Sequence, residues 1–429
     1  MLLFCYAATF LSVLIAGYWG MRVAIPENHH EDLWIYAAAC DLAWHGTSPY
    51  DTDRIHARVA EQFPDDPDFI ENSGFMYPPS ALLVFAPLTL VPWAAAKVLW
   101  CVAAMVAGVT AGWTLTRFSD RKLPGWFAGA AVAAVLLNPL SMFTLIVGQT
   151  PLFFVAAVAV GQWAEVTGRR RLGRLLWAVA FIKPHIALPL LPLAWYLSGW
   201  RRAAEIVVWA GAMNVAAGLL TVGNPLLVFD YLTYIQHGHQ SVLFNRVGVN
   251  PQITGWNRLV VANGGPAIEL GMKGTLAGYA VFGGLVWVRT RIGGAKPTAS
   301  WAVAVAGCAA LACCQLLPYE LPLLALILPH LGELLTSERR ADRLAAVAIL
   351  LAAAYAMLPG GDHSDYYRLV RGVFQPIDAK LSVWLGRPVG LTDVFLSHRC
   401  IGVLLVTAGV VGWGPRSFSP SPVRRGGRG

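Results

Sequence analysis

The sequence predicts an all-α membrane protein, a bundle of many spanning helices with re-entrant helices and short outer loops. Of its 429 residues, 56% are hydrophobic and only 13% are charged, whereas soluble proteins carry about 25% charged residues. Uncharged runs at residues 2–21, 98–116 and 126–147 reach the roughly 20 residues that cross a bilayer as a helix. We predict about 10 to 13 spanning helices of this kind.

Short clusters of arginine and lysine predict which loops lie on each side of the membrane. The formal net charge of +8 would suggest a nucleic-acid partner in a soluble protein, but here the basic residues fall between apolar runs, so we expect none. Cytoplasmic loops carry the excess of Lys and Arg. We therefore place these clusters inside: residues 117–122, 169–174, 201–202, 289–296, 339–343 and 416–428. The outer loops are then residues 29–77, 148–149, 223–266, 318–320 and 360–397.

The domain organisation is simple. We predict one transmembrane domain over residues 1–415 and a disordered, basic cytoplasmic tail over residues 416–429. The first apolar run has no basic leader and no small-residue cleavage site, so we interpret it as a span and not as a removed signal peptide. Two large outer loops, residues 25–77 and 223–266, collect the polar residues. The seven cysteines have no metal-ligand spacing, and we expect buried apolar side chains.

Lys183 is the most informative single residue. It lies in residues 172–200, between two basic clusters that should face the same side, and Pro184 follows it. A re-entrant pair of short helices that meet near Lys183 would satisfy both observations. An ionisable residue at membrane depth is costly and indicates function. We expect Lys183 to face a lipid phosphate, with His185 in the same pocket; the structural alternative is a lysine that snorkels to the headgroups.

Asp32 is the candidate general base. It lies beside Glu31, directly after the first span, at the head of a predicted helix whose apolar face runs from Leu33 to Trp44 along the membrane surface. The helix N-terminus favours ionised carboxylates. An ionised carboxylate can accept the proton of an attacking sugar hydroxyl. On this stretch alone, a helix-capping role for Asp32 is the stronger interpretation.

Other polar residues are candidate substrate contacts. The amide of Gln149, after Gly148, could bind a sugar hydroxyl, and Glu320 lies where the chain turns at the outer face. In the second outer loop, Arg246 is the candidate for an additional phosphate contact. The pair Asp51 and Asp53 could hold a divalent ion, but such pairs are common in loops and carry little weight.

Taken together, the motifs resemble glycosyltransferase family 87 of the GT-C class, which includes polyprenyl-phosphate-mannose-dependent α-mannosyltransferases and relatives that transfer arabinofuranose. The resemblance covers most of residues 1–335. It rests on five motifs in order: DLWIYAAACDLAWHGTSPYD from Asp32, FMYPPSALLVFAPLTLV from Phe75, Gly148-Gln149, Ile182-Lys183-Pro184, and Pro318-Tyr319-Glu320-Leu321.

The resemblance implies roles for individual residues. Asp32 would be the catalytic base of an inverting transfer, and Lys183 would stabilise the departing polyprenyl phosphate. Tyr77, in the Tyr-Pro-Pro motif, and Glu31 would contact substrate. No nucleotide loop, metal or other cofactor is implied, and the sequence shows no motif for one. Many relatives have His or Asp in the turn where this sequence has Glu320, so the identity of the sugar stays open.

The sequence therefore predicts a hexosyltransferase that moves a sugar, with mannose as the first choice, from a polyprenyl-phosphate donor to an envelope glycolipid or polysaccharide. We expect it in a bacterial inner membrane, with both termini cytoplasmic and the active site facing outward. Three alternatives are an arabinofuranosyltransferase of the same class, a ligase that joins whole glycans, and a transporter or flippase of lipid-linked sugars. A transporter would need a polar path from both faces, whereas the candidate residues map to the outer half.

Overall fold

The computed structural model describes residues 2–24, 31–238, 253–262, 266, 272–293, 297–358, 365–385 and 397–414. Throughout these ranges the chain forms helices and no β-strand, apart from one isolated antiparallel bridge between Thr254 and Leu316. This architecture confirms the all-α class that the composition predicts. The predicted tail, residues 416–429, lies outside the described residues.

The helices are named here in chain order. They are α1 (Leu2–Ala24), α2 (Glu31–Trp44), α3 (Thr52–Gln62), α4 (Pro67–Asn72), α5 (Ser80–Phe85), α6 (Trp93–Leu115), α7 (Gly125–Leu136), α8 (Pro139–Val147), α9 (Pro151–Val166), α10 (Arg170–Val179), α11 (Pro184–Ala187), α12 (Leu190–Ser198), α13 (Trp200–Thr221), α14 (Leu227–Gly238), α15 (Trp256–Ala262), α16 (Met272–Gly293), α17 (Ala299–Cys313), α18 (Leu328–Leu335), α19 (Arg340–Ala356), α20 (Asp365–Leu385) and α21 (His398–Gly412). In the described part of the chain, three 3-10 segments, Ala86–Leu90, Ala180–Ile182 and Pro318–Ile327, join them.

Several helices are candidates for crossing a membrane. In the described part of the chain, α6 and α13 are long and apolar enough by themselves, and α7 and α8 together form a third, bent candidate. Shorter apolar helices include α9, α17 and α21. A polytopic α-helical membrane protein is consistent with this set. The number of crossings, about 10 by the sequence, stays a prediction.

The apolar run at residues 126–147 is not one straight helix, as its length suggests. The chain bends by 52° between α7 and α8. The Asn138 side chain caps α8 by accepting hydrogen bonds from the backbone N–H groups of Leu140 (3.1 Å) and Ser141 (2.8 Å). Pro139 occupies the first turn of α8, where its missing N–H costs nothing. A cap followed by proline therefore starts a new helix inside the apolar run.

The core of the bundle is built around α9. Helices α6 and α10 pack along it, and α17 with the 3-10 segment Pro318–Ile327 completes the largest buried apolar cluster. Gly161 on α9 faces Trp177 on α10 so closely that a Cβ at Gly161 would lie 2.2 Å from the Trp177 ring. Small residues allow helices to approach in this way, and the close contact fixes α10 against α9.

The segment over residues 172–200 folds back on itself, as the sequence predicts. Helix α10 ends in a 3-10 turn at Lys183, and α11 and α12 continue beyond it. Trp177 of α10 and Ser198 at the end of α12 both contact Arg202 near the start of α13. The two legs therefore converge on Arg202, and Lys183 lies at the break between them.

The burial of helix α2 differs from the prediction. The sequence favours a surface helix with one apolar face, but Ile35, Ala39, Leu42 and Ala43, which lie off that face, are buried as well. Contacts from α3, α5, α8 and α13 surround α2. Alanines give this helix small sides against which neighbours can pack, so burial extends around most of it.

Candidate active site

Four of the predicted site residues form one connected chain of polar contacts. The Gln149 amide nitrogen donates to Asp32 Oδ2 at 2.7 Å, and the Lys183 ammonium donates to Gln149 Oε1 at 3.1 Å. Lys183 also donates to a carboxylate oxygen of Glu320 and forms a salt bridge with it. Four separate elements thus bring a carboxylate, an amide, an ammonium and a second carboxylate together.

Glycine at position 148 brings Gln149 close to α2. Gly148 ends α8 in the left-handed conformation, with φ of 77°, which glycine adopts without steric cost. A Cβ at this position would also lie 2.6 Å from the Cβ of Leu33, the residue after Asp32. Because no side chain separates the two backbones, the next residue can present its amide directly to Asp32.

Lys183 owes its position to the proline that follows it. Proline disfavours the helical conformation of the preceding residue, and Lys183 has φ of −123° and ψ of 81°, outside the helical region. The helix therefore breaks here, and the side chain is only 6% exposed. Its ammonium lies over the rings of Tyr77 (5.3 Å) and Tyr319 (5.6 Å), an arrangement that favours a cation.

Of the two carboxylates in these contacts, Glu320 is the more deeply buried, at 3% exposure. One of its oxygens binds Lys183, whereas Oε2 is buried and has no hydrogen-bond partner among the described residues. An uncompensated buried carboxylate is costly, and removal of its cation would strand it. Glu320 and Lys183 therefore depend on each other.

Tyr77 connects this chain of contacts to α2 and α9. Its hydroxyl donates to Gln149 Oε1 at 3.0 Å and lies 3.1 Å from the Tyr36 hydroxyl and 3.3 Å from Thr150 Oγ1. The sequence patterns assign no site role to Tyr36, Thr150 or Tyr319. Their only signal is position, since each is adjacent to a predicted site residue or one helical turn from it.

Asp32 combines a buried setting with an accessible edge. The side chain is partly exposed, and burial raises the pKa of its carboxyl above the ordinary value for aspartate, although the Gln149 hydrogen bond and the Lys183 charge oppose that rise. A carboxylate with a raised pKa holds a transferred proton more firmly than an exposed one. The arrangement suits proton abstraction from a hydroxyl.

Some predicted site residues lie elsewhere. The His185 side chain is exposed, and its carbonyl accepts hydrogen bonds from Tyr279 and Cys314. Arg246 and the side chain of Glu31 lie outside the described residues. The carboxylate of Asp51, one half of the candidate metal pair, caps α3 by accepting from the Arg54 N–H at 3.2 Å. In the described part of the chain, no three His, Cys, Asp or Glu side chains are placed to hold a metal ion.

Comparisons with known proteins identify the family of the chain. The family model of glycosyltransferase family 87 matches residues 75–318, more than half of the chain. This range includes Gln149 and Lys183, ends two residues before Glu320, and begins after Asp32.

One curated relative is similar over a shorter stretch. The polyprenol-phosphate-mannose-dependent α-(1-2)-phosphatidylinositol pentamannoside mannosyltransferase of Mycobacterium tuberculosis (strain CDC 1551 / Oshkosh) is 34% identical over 175 residues. The match covers 39% of this chain and only 36% of the relative. It therefore extends over little more than a third of that protein.

Proposed function

This chain belongs to glycosyltransferase family 87, and we propose that it transfers mannose from a polyprenyl-phosphate donor to a hydroxyl of an envelope glycolipid or polysaccharide. The family supports glycosyl transfer. The named dependence of the mycobacterial relative on polyprenol-phosphate-mannose supports the donor. Arabinofuranose is the competing sugar, since the sequence resembles a class that includes both activities.

The proposal places the enzyme in a bacterial inner membrane with the site facing outward. The charge pattern supports this orientation, because the arginine clusters mark the cytoplasmic loops. Gln149 then lies at the outer end of α9, and Glu165 lies at the inner end. A lipid-linked donor could reach the site from the bilayer, and both chain termini would be cytoplasmic.

In the proposed reaction, Asp32 acts as the base. Its carboxylate takes the proton of the acceptor hydroxyl as the acceptor oxygen forms a bond to C1 of the donor sugar. The bond between C1 and the phosphate oxygen breaks, and polyprenyl phosphate leaves with that electron pair. Attack from the face opposite the leaving group inverts the configuration at C1. Gln149 orients Asp32, and Lys183 lies on the other side of Gln149, where a cation can stabilise the leaving anion.

The observation that carries the proposal is the unbroken contact from Asp32 through Gln149 to Lys183. A base and a cation that serve opposite ends of a displacement must be held at a fixed separation. These two residues are far apart in sequence, yet one amide side chain bridges them. Tyr77 donates to the same amide oxygen and further fixes its orientation.

The decisive experiment is transfer by membranes that carry the protein, supplied with radiolabelled polyprenyl-phosphate-mannose and a lipid extract as acceptor. We expect Asp32→Asn to lower incorporation by about 10² to 10⁴-fold, the usual contribution of a general base. Asp53→Asn, an exposed carboxylate on α3, should leave it unchanged. Full activity in Asp32→Asn would refute the base assignment.

The same membranes test the sugar. Incubation with labelled polyprenyl-phosphate-arabinofuranose in place of the mannosyl donor should give no incorporation above a membrane control without the protein. Incorporation from the arabinosyl donor alone, lost in Asp32→Asn, would retain the reaction type and replace mannose by arabinofuranose.

A further inference from the structure

A buried lysine outside the Asp32 to Glu320 contacts has no acid to balance it. Lys97 lies in the second turn of α6 and is 5% exposed. Among the described residues its ammonium faces the ring of Trp93 at 5.9 Å, and none of them forms a salt bridge or hydrogen bond with it. A lysine side chain this deeply buried normally has a counter-ion.

Three tryptophans, two on the same face of α6 and one packed against that face, present further donors. The buried indole N–H groups of Trp34, Trp93 and Trp100 have no hydrogen-bond acceptor in the part of the chain that the structure describes. Trp93 and Trp100 lie four residues before and three residues after Lys97, so all three share one face of α6. Trp34 of α2 packs edge-on against Trp93 with ring centroids 4.8 Å apart. Buried donors are rarely left unpaired.

This group of four side chains, called here the Lys97 cluster, offers donors only. Indole and ammonium groups donate hydrogen bonds and cannot accept them. The complementary ligand is therefore a group whose oxygens only accept, and the positive charge of Lys97 requires that it be an anion. A phosphate group meets both conditions, and a neutral sugar hydroxyl meets neither fully.

The Lys97 cluster lies beside the Asp32 site. Trp100 packs against Phe85, with ring centroids 5.3 Å apart, and Phe85 packs against Tyr77 at 5.5 Å. Trp100 also packs against Phe153, with ring centroids 4.7 Å apart. Phe153 is one turn after Gln149, in the first turn of α9. One aromatic ring, that of Phe85, thus separates the cluster from Tyr77, which donates to Gln149.

The chemistry of transfer calls for such a second cation. Lys183 is already paired with Glu320 and donates to Gln149, so most of its charge and two of its three N–H donors are engaged. The leaving phosphate gains negative charge as the glycosidic bond breaks. Lys97 is a cation whose charge the described residues leave uncompensated.

We propose that the Lys97 cluster binds the phosphate of the polyprenyl-phosphate donor. This inference rests on the proposed function and adds a phosphate subsite to it. The adjoining face of α6 supports a lipid ligand, because Val98, Leu99 and Val102 are exposed apolar side chains along which a polyprenyl chain can lie. The phosphate would then receive donors from Lys97 and the indoles while the sugar extends toward Asp32.

The test is equilibrium binding of sugar-free polyprenyl phosphate, compared with polyprenol, to the full chain in nanodiscs of zwitterionic lipid. Binding needs no transfer, so it can be measured equally in the wild type and in Asp32→Asn, and its outcome is separate from that of the transfer assay. We expect Lys97→Met to weaken polyprenyl phosphate binding at least about tenfold, as expected for loss of a charge-assisted contact, with polyprenol binding unchanged.

Matched variants keep the result specific. Lys97→Arg should retain binding, and Trp93→Phe should weaken it less than Lys97→Met does. Lys273, an exposed lysine at the start of α16, provides the control, since Lys273→Met should bind as the wild type does. Thermal unfolding of each variant identifies any that fail to fold, and Lys97→Arg then decides the charge requirement.

Two results would overturn the proposal. The first is that folded Lys97→Met prefers polyprenyl phosphate over polyprenol by the same factor as the wild type does. The other appears when phosphatidylglycerol is added to the nanodiscs. If Lys97→Met changed only the competition by that phospholipid, the cluster would bind a bilayer headgroup and not the donor.

Discussion

Two clusters of buried charge lie at opposite ends of α9, about 24 Å apart at 1.5 Å per residue. At one end, Gln149 links Asp32 to Lys183 and Glu320. At the other end, Glu165 forms ion pairs with Arg174 at 3.4 Å and Arg202 at 3.6 Å. Buried charges are therefore compensated in two different ways at the two ends of α9.

The two clusters differ in charge balance. In the second cluster, Arg174 also pairs with Glu205, so two arginines face two glutamates. Arg202, at 1% exposure, lies 3.9 Å over the Trp177 ring and donates to Gln162 at 3.0 Å. In the first cluster, two carboxyl groups share one ammonium.

The difference indicates the role of each cluster. The balanced one ties α9, α10 and α13 together, whereas the unbalanced one has carboxylate oxygens left for other partners. Perturbed, incompletely compensated groups are typical of functional sites. We therefore expect changes in the first cluster to affect transfer and changes in the second to affect stability.

The largest expected difference between the two clusters is the effect of Lys183→Met on transfer. Removal of the ammonium leaves Asp32 and Glu320 without their shared cation, and it removes a donor that fixes Gln149. We expect transfer to fall by about 10²-fold or more, as is usual for loss of one preorganised electrostatic contact, with the main loss in kcat. Initial rates across donor concentrations, measured in nanodiscs, separate kcat from KM.

The matched change at the other end of α9 is Arg174→Met, which also removes a cation paired with a carboxylate. It should leave kcat per folded molecule close to that of the wild type. A loss of kcat in Arg174→Met as large as that in Lys183→Met would remove the distinction between the two clusters.

For stability we expect the opposite result, with the larger effect in the second cluster. Glu165→Gln removes the carboxylate that two arginines share and leaves Arg202 as a buried charge without its acid. Breaking a buried pair in this way costs about 3 to 5 kcal/mol. Unfolding by SDS in mixed micelles should show the loss, and the surviving folded protein should transfer sugar normally. An unfolding midpoint unchanged from the wild type would show that the cluster is dispensable for the fold.

The sequence predicted the candidates of the first cluster better than their partners. Asp32, Gln149, Lys183 and Glu320 stand out because each is a polar residue next to an apolar run, and two of them, Gln149 and Lys183, adjoin a glycine or a proline. Their pairings span 117, 34 and 137 residues. A single sequence contains no signal that relates positions so distant, so only the folded bundle shows which carboxylate meets which donor.

Other features could not be predicted from the sequence, for reasons that are local to each position. Lys97 lies only one turn inside an apolar run, where it resembles an interfacial lysine, and only its buried tryptophan neighbours distinguish it. Asn138-Pro139 interrupts a run whose hydrophobicity is otherwise continuous, and hydropathy takes no account of a capping side chain. The arginines of the second cluster predict cytoplasmic loops, and they can form ion pairs in that position as well.

The smallest expected effect is a shift in pH dependence. Each cluster contains one glutamine, Gln149 just before α9 and Gln162 near its end, which gives a matched pair of Gln→Leu variants. Burial raises the pKa of Asp32, and the Gln149 hydrogen bond opposes that rise. Only the ionised carboxylate can accept a proton, so transfer falls as the pH drops through this raised pKa, and loss of the Gln149 amide should move the acidic limb of kcat/KM to higher pH. Gln162→Leu should leave the limb in place. An acidic limb that does not move in Gln149→Leu would mean that Asp32 is not the group whose ionisation limits transfer.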